Sequence, residues 1–180
     1  MTRFKPREPR PPLSDATLRE LALRYVGKFA TTRAKLRTYL QRKVRERGWQ
    51  GDTEPDLDAL VGRLAELGYV DDAGFALSKS RSLTARGYGE RRVAQALQVA
   101  GIDEDDAQAA RTLAADAAVD AALRFAERRK LGPFATVEAT SEQRAKALAA
   151  MVRAGHRMNL ARAIIALPPG SPIDPDDLDR

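Results

Sequence analysis

Gly68-Tyr69-Val70-Asp71-Asp72-Ala73-Gly74-Phe75-Ala76, followed shortly by Arg86-Gly87-Tyr88-Gly89-Glu90-Arg91-Arg92-Val93, is the stretch that decides the fold. Gly68 stands four residues after Leu64 and is followed by the large Tyr69. That spacing fits a Schellman stop, with glycine left-handed at C′ and the next residue folding back on the last turn. Asp71 then fits an N-cap, which puts Val70 at N′ and Phe75 at N4, the two positions of a hydrophobic staple. Leu83, Gly87 and Tyr88 repeat the stop, and a further helix begins near Glu90.

The same grammar extends outward. Val44/Gly48/Trp49, Leu97/Gly101/Ile102 and Met151/Gly155/His156 have the spacing of Leu64/Gly68/Tyr69 and Leu83/Gly87/Tyr88. Between stops the apolar residues recur at helical spacing: Leu18, Leu21, Ala22, Tyr25, Val26 and Phe29; then Leu36, Tyr39, Leu40 and Val44; then Leu57, Leu60, Val61 and Leu64. Thr140 and Gln143 fit a capping box before the helix of Ala145, and the helix of Leu160 and Ile164 is stopped by Pro168-Pro169. No segment alternates as a strand does. Ala22-Leu23-Arg24-Tyr25, Ala76-Leu77-Ser78-Lys79 and Ala122-Leu123-Arg124-Phe125 recur, each followed by a stop glycine: Gly48, Gly101 and Gly155. The third copy carries an insertion from Gly132 to Thr140.

The expected architecture is all-α, an elongated array of tandem three-helix repeats with about nine helices. The expected divisions are a flexible basic Pro-rich arm at 1–13, repeats at 14–70, 71–115 and 116–167, and a Pro/Asp-rich tail at 168–180.

Charge is unevenly placed. The net charge is +6, yet residues 1–50 hold 14 Lys/Arg against 4 Asp/Glu, and the rest of the chain is slightly acidic. A basic end fits a polyanion or an acidic protein surface. There is no Cys, so thiolate metal sites and disulfides are excluded. The N-terminal stretch has no apolar core of a secretory signal, and no run reaches membrane-spanning length, so a cytoplasmic protein without membrane contact is expected.

Nothing points to catalysis. The single histidine, His156, follows a stop glycine and has no second His or Cys to complete a metal site. Asp71-Asp72 and Asp103-Glu104-Asp105-Asp106 stand where N-caps and the helix dipole favour acids. Gly87-Tyr88-Gly89 has no preceding strand to make a phosphate loop. A non-enzyme without cofactor is expected.

The binding candidates are cations. At 100° per residue, Lys35, Arg42 and Arg45 point away from the Leu36/Leu40 stripe, and the alternative is a solvated helix face. Arg81 and Arg91 point away from the apolar positions of their helices, with Arg92 on the flank. Arg86 sits in a last helical turn, where the dipole alone favours it. Gly68, Tyr69, Asp71, Asp72, Phe75, Arg86, Gly87, Gly89 and Gly101 read as the scaffold of the motif. A second reading makes the Gly87 turn part of a helix-turn-helix presenting Glu90, Arg91 and Gln95 to a DNA groove.

The order Leu64-x3-Gly68-Tyr69-Val70-Asp71-Asp72-x2-Phe75-Ala76, Arg81, Arg86-Gly87-x-Gly89-x2-Arg92-Val93, Leu97-x3-Gly101-Ile102 resembles the RecX family of recombination regulators. Ala22-Leu23-Arg24-Tyr25 resembles its first repeat. Leu131-Gly132-Pro133-Phe134 and Arg153-Ala154-Gly155-His156 resemble its third, so the likeness spans residues 16–167. The loop Gly48–Pro55 and the insertion in the third unit depart from the family pattern. The resemblance implies tandem three-helix units that bind the RecA recombinase, lie in the groove of its nucleoprotein filament and inhibit its recombinase, ATPase and coprotease activities. It thereby implies a role in DNA repair, recombination and the SOS response. DNA contact, single- or double-stranded, would be secondary, and a monomer is expected.

Overall fold

The computed structural model describes residues 11–178. Among them there is no β-strand, only an isolated bridge between Leu13 and Trp49. The first helices are α1 (Asp15–Val26), α2 (Arg33–Arg47) and α3 (Leu57–Glu66). Then come α4 (Asp72–Ala85), α5 (Glu90–Val99), α6 (Glu104–Asp116) and α7 (Ala118–Arg129). A 3-10 turn at Gly132–Phe134 precedes α8 (Ser141–Arg153), α9 (Met158–Ala166) and the single turn α10 (Pro175–Leu178). The chain is thus all-α. It divides into two compact units between Asp71 and Asp72.

In the first unit each helix has a side-chain cap. Ser14 and Thr17 bond reciprocally, with the Ser14 amide donating to Thr17 Oγ1 at 2.8 Å. Thr32 Oγ1 accepts from the Lys35 amide at 3.2 Å, and Asp56 Oδ1 from the Ala59 amide at 2.8 Å. Such caps satisfy amides that a helix start leaves open. Leu13, Leu18, Ala22, Leu36, Leu40, Val61, Leu64 and Val70 form the core. Arg37 forks onto Asp58 at 2.5 and 3.2 Å, tying α2 to α3, and this hydrogen bond holds the Asp58 carboxyl below its ordinary range.

Two expectations fail here. Phe29 does not join the buried stripe: α1 ends at Val26, and Phe29 lies beyond it with 52% exposure. Gly48 does not make a Schellman stop. Its ψ of 169° extends the chain, and its carbonyl accepts from the Leu13 amide at 2.9 Å. The end of the presumed arm is therefore fixed: Leu13 is fully buried, while residues 1–10 lie outside the described part.

The second unit holds two cores. Ala76, Leu83, Val93, Leu97, Ala107, Ala110 and Ala114 fill the space among α4, α5 and α6. Small residues let α4 and α6 approach until the buried Ser80 hydroxyl donates to the Ala110 carbonyl at 2.8 Å. Phe125, Ala126, Met151, Leu160, Ala161 and Ile164 belong to the other core, built by α7, α8 and α9. Tyr88 packs against both. Thr140 and Gln143 form the expected capping box at α8. The described part of the expected tail, 168–178, does not simply trail away, because Ile173 and the buried Leu178 return to this core, while residues 179–180 lie outside the described part.

The stops at Gly68, Gly87, Gly101 and Gly155 have the expected geometry. Their φ values are 76°, 76°, 70° and 97°, and the next amide bonds back to Leu64, Leu83, Leu97 and Met151 respectively. The sequence grammar missed one further stop, at Lys130, whose φ is 54° and whose successor Leu131 donates to Ala126 at 2.9 Å. A search for glycine cannot find it. Around Gly68 an added Cβ meets nothing within 4 Å. Gly68→Ala is therefore expected to cost only the left-handed backbone penalty, about 1 kcal/mol, in a urea unfolding titration.

Candidate interaction surface

The three cations predicted on α2 are all exposed: Lys35, Arg42 and Arg45 lie opposite the buried Leu36 and Leu40. Arg42 lies over the Tyr39 ring, 5.7 Å from its centroid, and reaches Glu46 at 3.6 Å. Lys43 bonds the same carboxylate at 2.5 Å, and that hydrogen bond is the main cause holding Glu46 below its ordinary pKa. Part of the positive face is thus neutralised locally, while Arg45 forms no ion pair among the described residues.

In the second unit the Gly87-Tyr88-Gly89 turn is a junction as well as a connector. The Gly89 amide donates to the Ala154 carbonyl at 3.0 Å, and the Arg91 amide to Gly155 at 3.1 Å. The end of α8 is therefore seated on the start of α5. Gly89 has an ordinary φ of −83°, so its backbone conformation does not require glycine. Proximity does: a Cβ there would stand 2.4 Å from the Gly155 carbonyl carbon and 2.6 Å from the His156 nitrogen.

His156 completes the junction. It is 2% exposed, its Nε2 lies 3.2 Å from the Gly87 carbonyl, and its ring meets Phe125 edge-on at 5.5 Å. It is a packing residue that donates to a backbone carbonyl. Burial pushes its pKa down, against smaller opposing effects of the Gly87 carbonyl and Glu90. The unfolded chain therefore binds the proton more readily than the folded one. Stability is fully present above the unfolded value, about 6.5, and falls as pH drops below it. The urea midpoint is expected to decline from about pH 7 to about pH 5.5, and His156→Gln is expected to remove that part of the decline.

The arginines sort into two places. Arg81 is exposed on α4, and Arg91 lines a shallow groove with Gln95, Gln98 and Arg111. Arg92 lies 6.0 Å from the Tyr88 centroid and donates to Gln95 Oε1 at 3.0 Å. Arg86, read from sequence as scaffold, shares that ring with it, at 5.4 Å. Arg128 joins from α7, where its Nη1 donates to the Arg86 carbonyl at 2.6 Å. Three guanidinium groups thus gather at one turn, while Glu90 is engaged by Arg157 at 2.8 Å. Sequence reasoning missed Arg128, because its partner stands 42 residues away and no local pattern joins the two.

The family model for the second three-helix domain of RecX matches residues 71–110, the segment that holds this turn. A regulatory protein RecX of Myxococcus xanthus is 33% identical over 171 residues, covering 89% of each chain. The chain belongs to the RecX family. Regulatory protein RecX of Thermobifida fusca is also 33% identical, over 83% of this chain and 77% of its own. The crystal structure of RecX from Lactobacillus salivarius has the same fold, with a TM-score of 0.60 at 19% identity over 83% of this chain and 93% of that one. As a RecX-family chain the protein is a regulator by descent, and no described helix is long and apolar enough to cross a membrane.

Proposed function

We propose that this RecX-family protein is a non-enzymatic regulator that binds the RecA nucleoprotein filament in the cytoplasm. It acts there as a monomer and restrains RecA's recombinase, ATPase and coprotease activities. The observation that carries the reading is family likeness along 89% of the chain. The gathering of Arg86 and Arg92 over Tyr88, with Arg128 bonded to the Arg86 carbonyl, supports it, because guanidinium groups bind phosphates and carboxylates through paired N–H donors. Its helices act as three tandem units, 14–70, 71–115 and 116–167. Lys35, Arg42 and Arg45 on the first unit, and Arg81 and Arg91 on the second, are further cations available to the filament, and contact with DNA is secondary. The mechanism is occupancy: a bound array blocks filament extension and strand exchange without breaking a bond.

The helix-turn-helix alternative fits the geometry less well. A recognition helix reads DNA with its N-terminal residues. Here the start of α5 is covered by the α8–α9 turn, and Glu90 is held by Arg157. The deciding experiment is RecA ATP hydrolysis on non-specific single-stranded DNA present in excess. Suppression at sub-stoichiometric or near-equal amounts of this protein is expected, because competition for DNA cannot act when DNA is abundant. Unaltered ATP hydrolysis would overturn the reading.

A further inference from the structure

Phe29 is one of the large apolar side chains that the first unit leaves exposed, with Leu67 and Tyr69, and among the described residues it is the one of these with a cation and a ring beside it. Its large apolar ring is 52% exposed, so about half of it faces solvent. Its amide donates to the Tyr25 carbonyl at 3.0 Å, continuing the helical turn beyond α1. Its ring lies 5.3 Å from that of Tyr25, which in turn stacks on Tyr39 at 4.1 Å with the planes 21° apart. Three rings thus run from the end of α1 onto α2.

Cations border the run. Lys28 lies 5.9 Å from the Phe29 centroid, and Arg42 and Lys43 lie 5.7 and 5.8 Å from that of Tyr39. Lys35 and Arg42 flank Tyr39 on its own face of α2, four residues before and three after it. Glu46 is the acid that Arg42 and Lys43 share, and among the described residues no ion pair engages Lys28 at the Phe29 end. Phe29 offers an open ring face, backed by the half-buried Tyr25 and Tyr39 rings and bordered by positive charges, and that pairing matches an unstacked base on a phosphate backbone. Duplex DNA offers the charge but keeps its bases stacked inside. An acidic protein strand would use the cations and leave Phe29 with no reason to face solvent.

We propose that the Phe29–Tyr25–Tyr39 face binds single-stranded nucleic acid by base stacking, with Lys28, Lys35 and Arg42 holding the backbone. This sharpens the secondary DNA contact of the function proposed above, and it is tested without RecA, so each can fail alone. The full-length protein is titrated by fluorescence anisotropy against an oligothymidine, an abasic oligonucleotide of equal length and a duplex. The oligothymidine is expected to bind tightest. Phe29→Ala, at an exposed position, is expected to weaken oligothymidine binding about tenfold and to leave abasic binding unchanged. Lys28→Ala is expected to weaken both single strands and to lower the salt dependence. Equal affinity for the abasic strand or the duplex, or an unaffected Phe29→Ala, would overturn the proposal and reduce the face to a charged surface.

Discussion

Gly155→Ala is expected to remove most of the stability of the second unit. The residue has a φ of +97°, and an added Cβ would stand 2.4 Å from the Arg92 amide nitrogen. The left-handed backbone costs about 1–2 kcal/mol with a Cβ. The overlap adds about 1–3 kcal/mol more, because the atom it strikes is backbone that cannot rotate away. The total, about 2–5 kcal/mol, reaches at its upper end the whole stability of a marginally stable domain. Gly89→Ala carries no left-handed penalty and separates the two effects. The atoms nearest its Cβ are Gly155 and His156 backbone, so about 1–3 kcal/mol is expected from overlap alone. Urea midpoints should therefore rank wild type, Gly68→Ala, Gly89→Ala and Gly155→Ala from most to least stable. A Gly89→Ala protein as stable as Gly68→Ala would mean that α8 does not seat rigidly on α5.

The second large effect is expected on regulation. Replacing Arg86 and Arg92 together by Ala should raise the amount of protein needed to suppress RecA ATP hydrolysis by about tenfold or more, as loss of about 1.4 kcal/mol of binding requires. The folded state should change little. Both side chains are exposed and lie over Tyr88, an arrangement worth about 0.5–1 kcal/mol at such sites. Arg91→Ala is the comparison, since Arg91 lines the separate groove beside Gln98 and Arg111. If Arg91→Ala loses suppression and the Arg86/Arg92 pair does not, the groove between α5 and α6 is the contacting face. Arg128 is left in place in this test because its bond to the Arg86 carbonyl gives it a structural share.

Much of the fold was legible because helix ends are local chemistry. A Schellman stop needs only one glycine, one large residue and a carbonyl five positions back, and four of the five expected stops have that geometry. Gly48 departs because its partner is Leu13, far earlier in the chain, and Lys130 was overlooked because a stop can form without glycine. The exposed cations on α2 followed from periodicity alone. The grouping of the arginines did not, since a face on one helix says nothing about which neighbouring helix completes it.

By itself the sequence determined the element types, most of the helix ends and the family, because each is written within a few residues of chain. Tertiary structure alone decided why the Gly68–Val93 motif contains Gly89, which side chains surround Tyr88, and that His156 is a packing residue. Those outcomes depend on α7 and the α8–α9 turn arriving beside α5 from 42 to 69 residues away. Contacts over such separations are fixed by the packing of whole helices, and no local spacing records them.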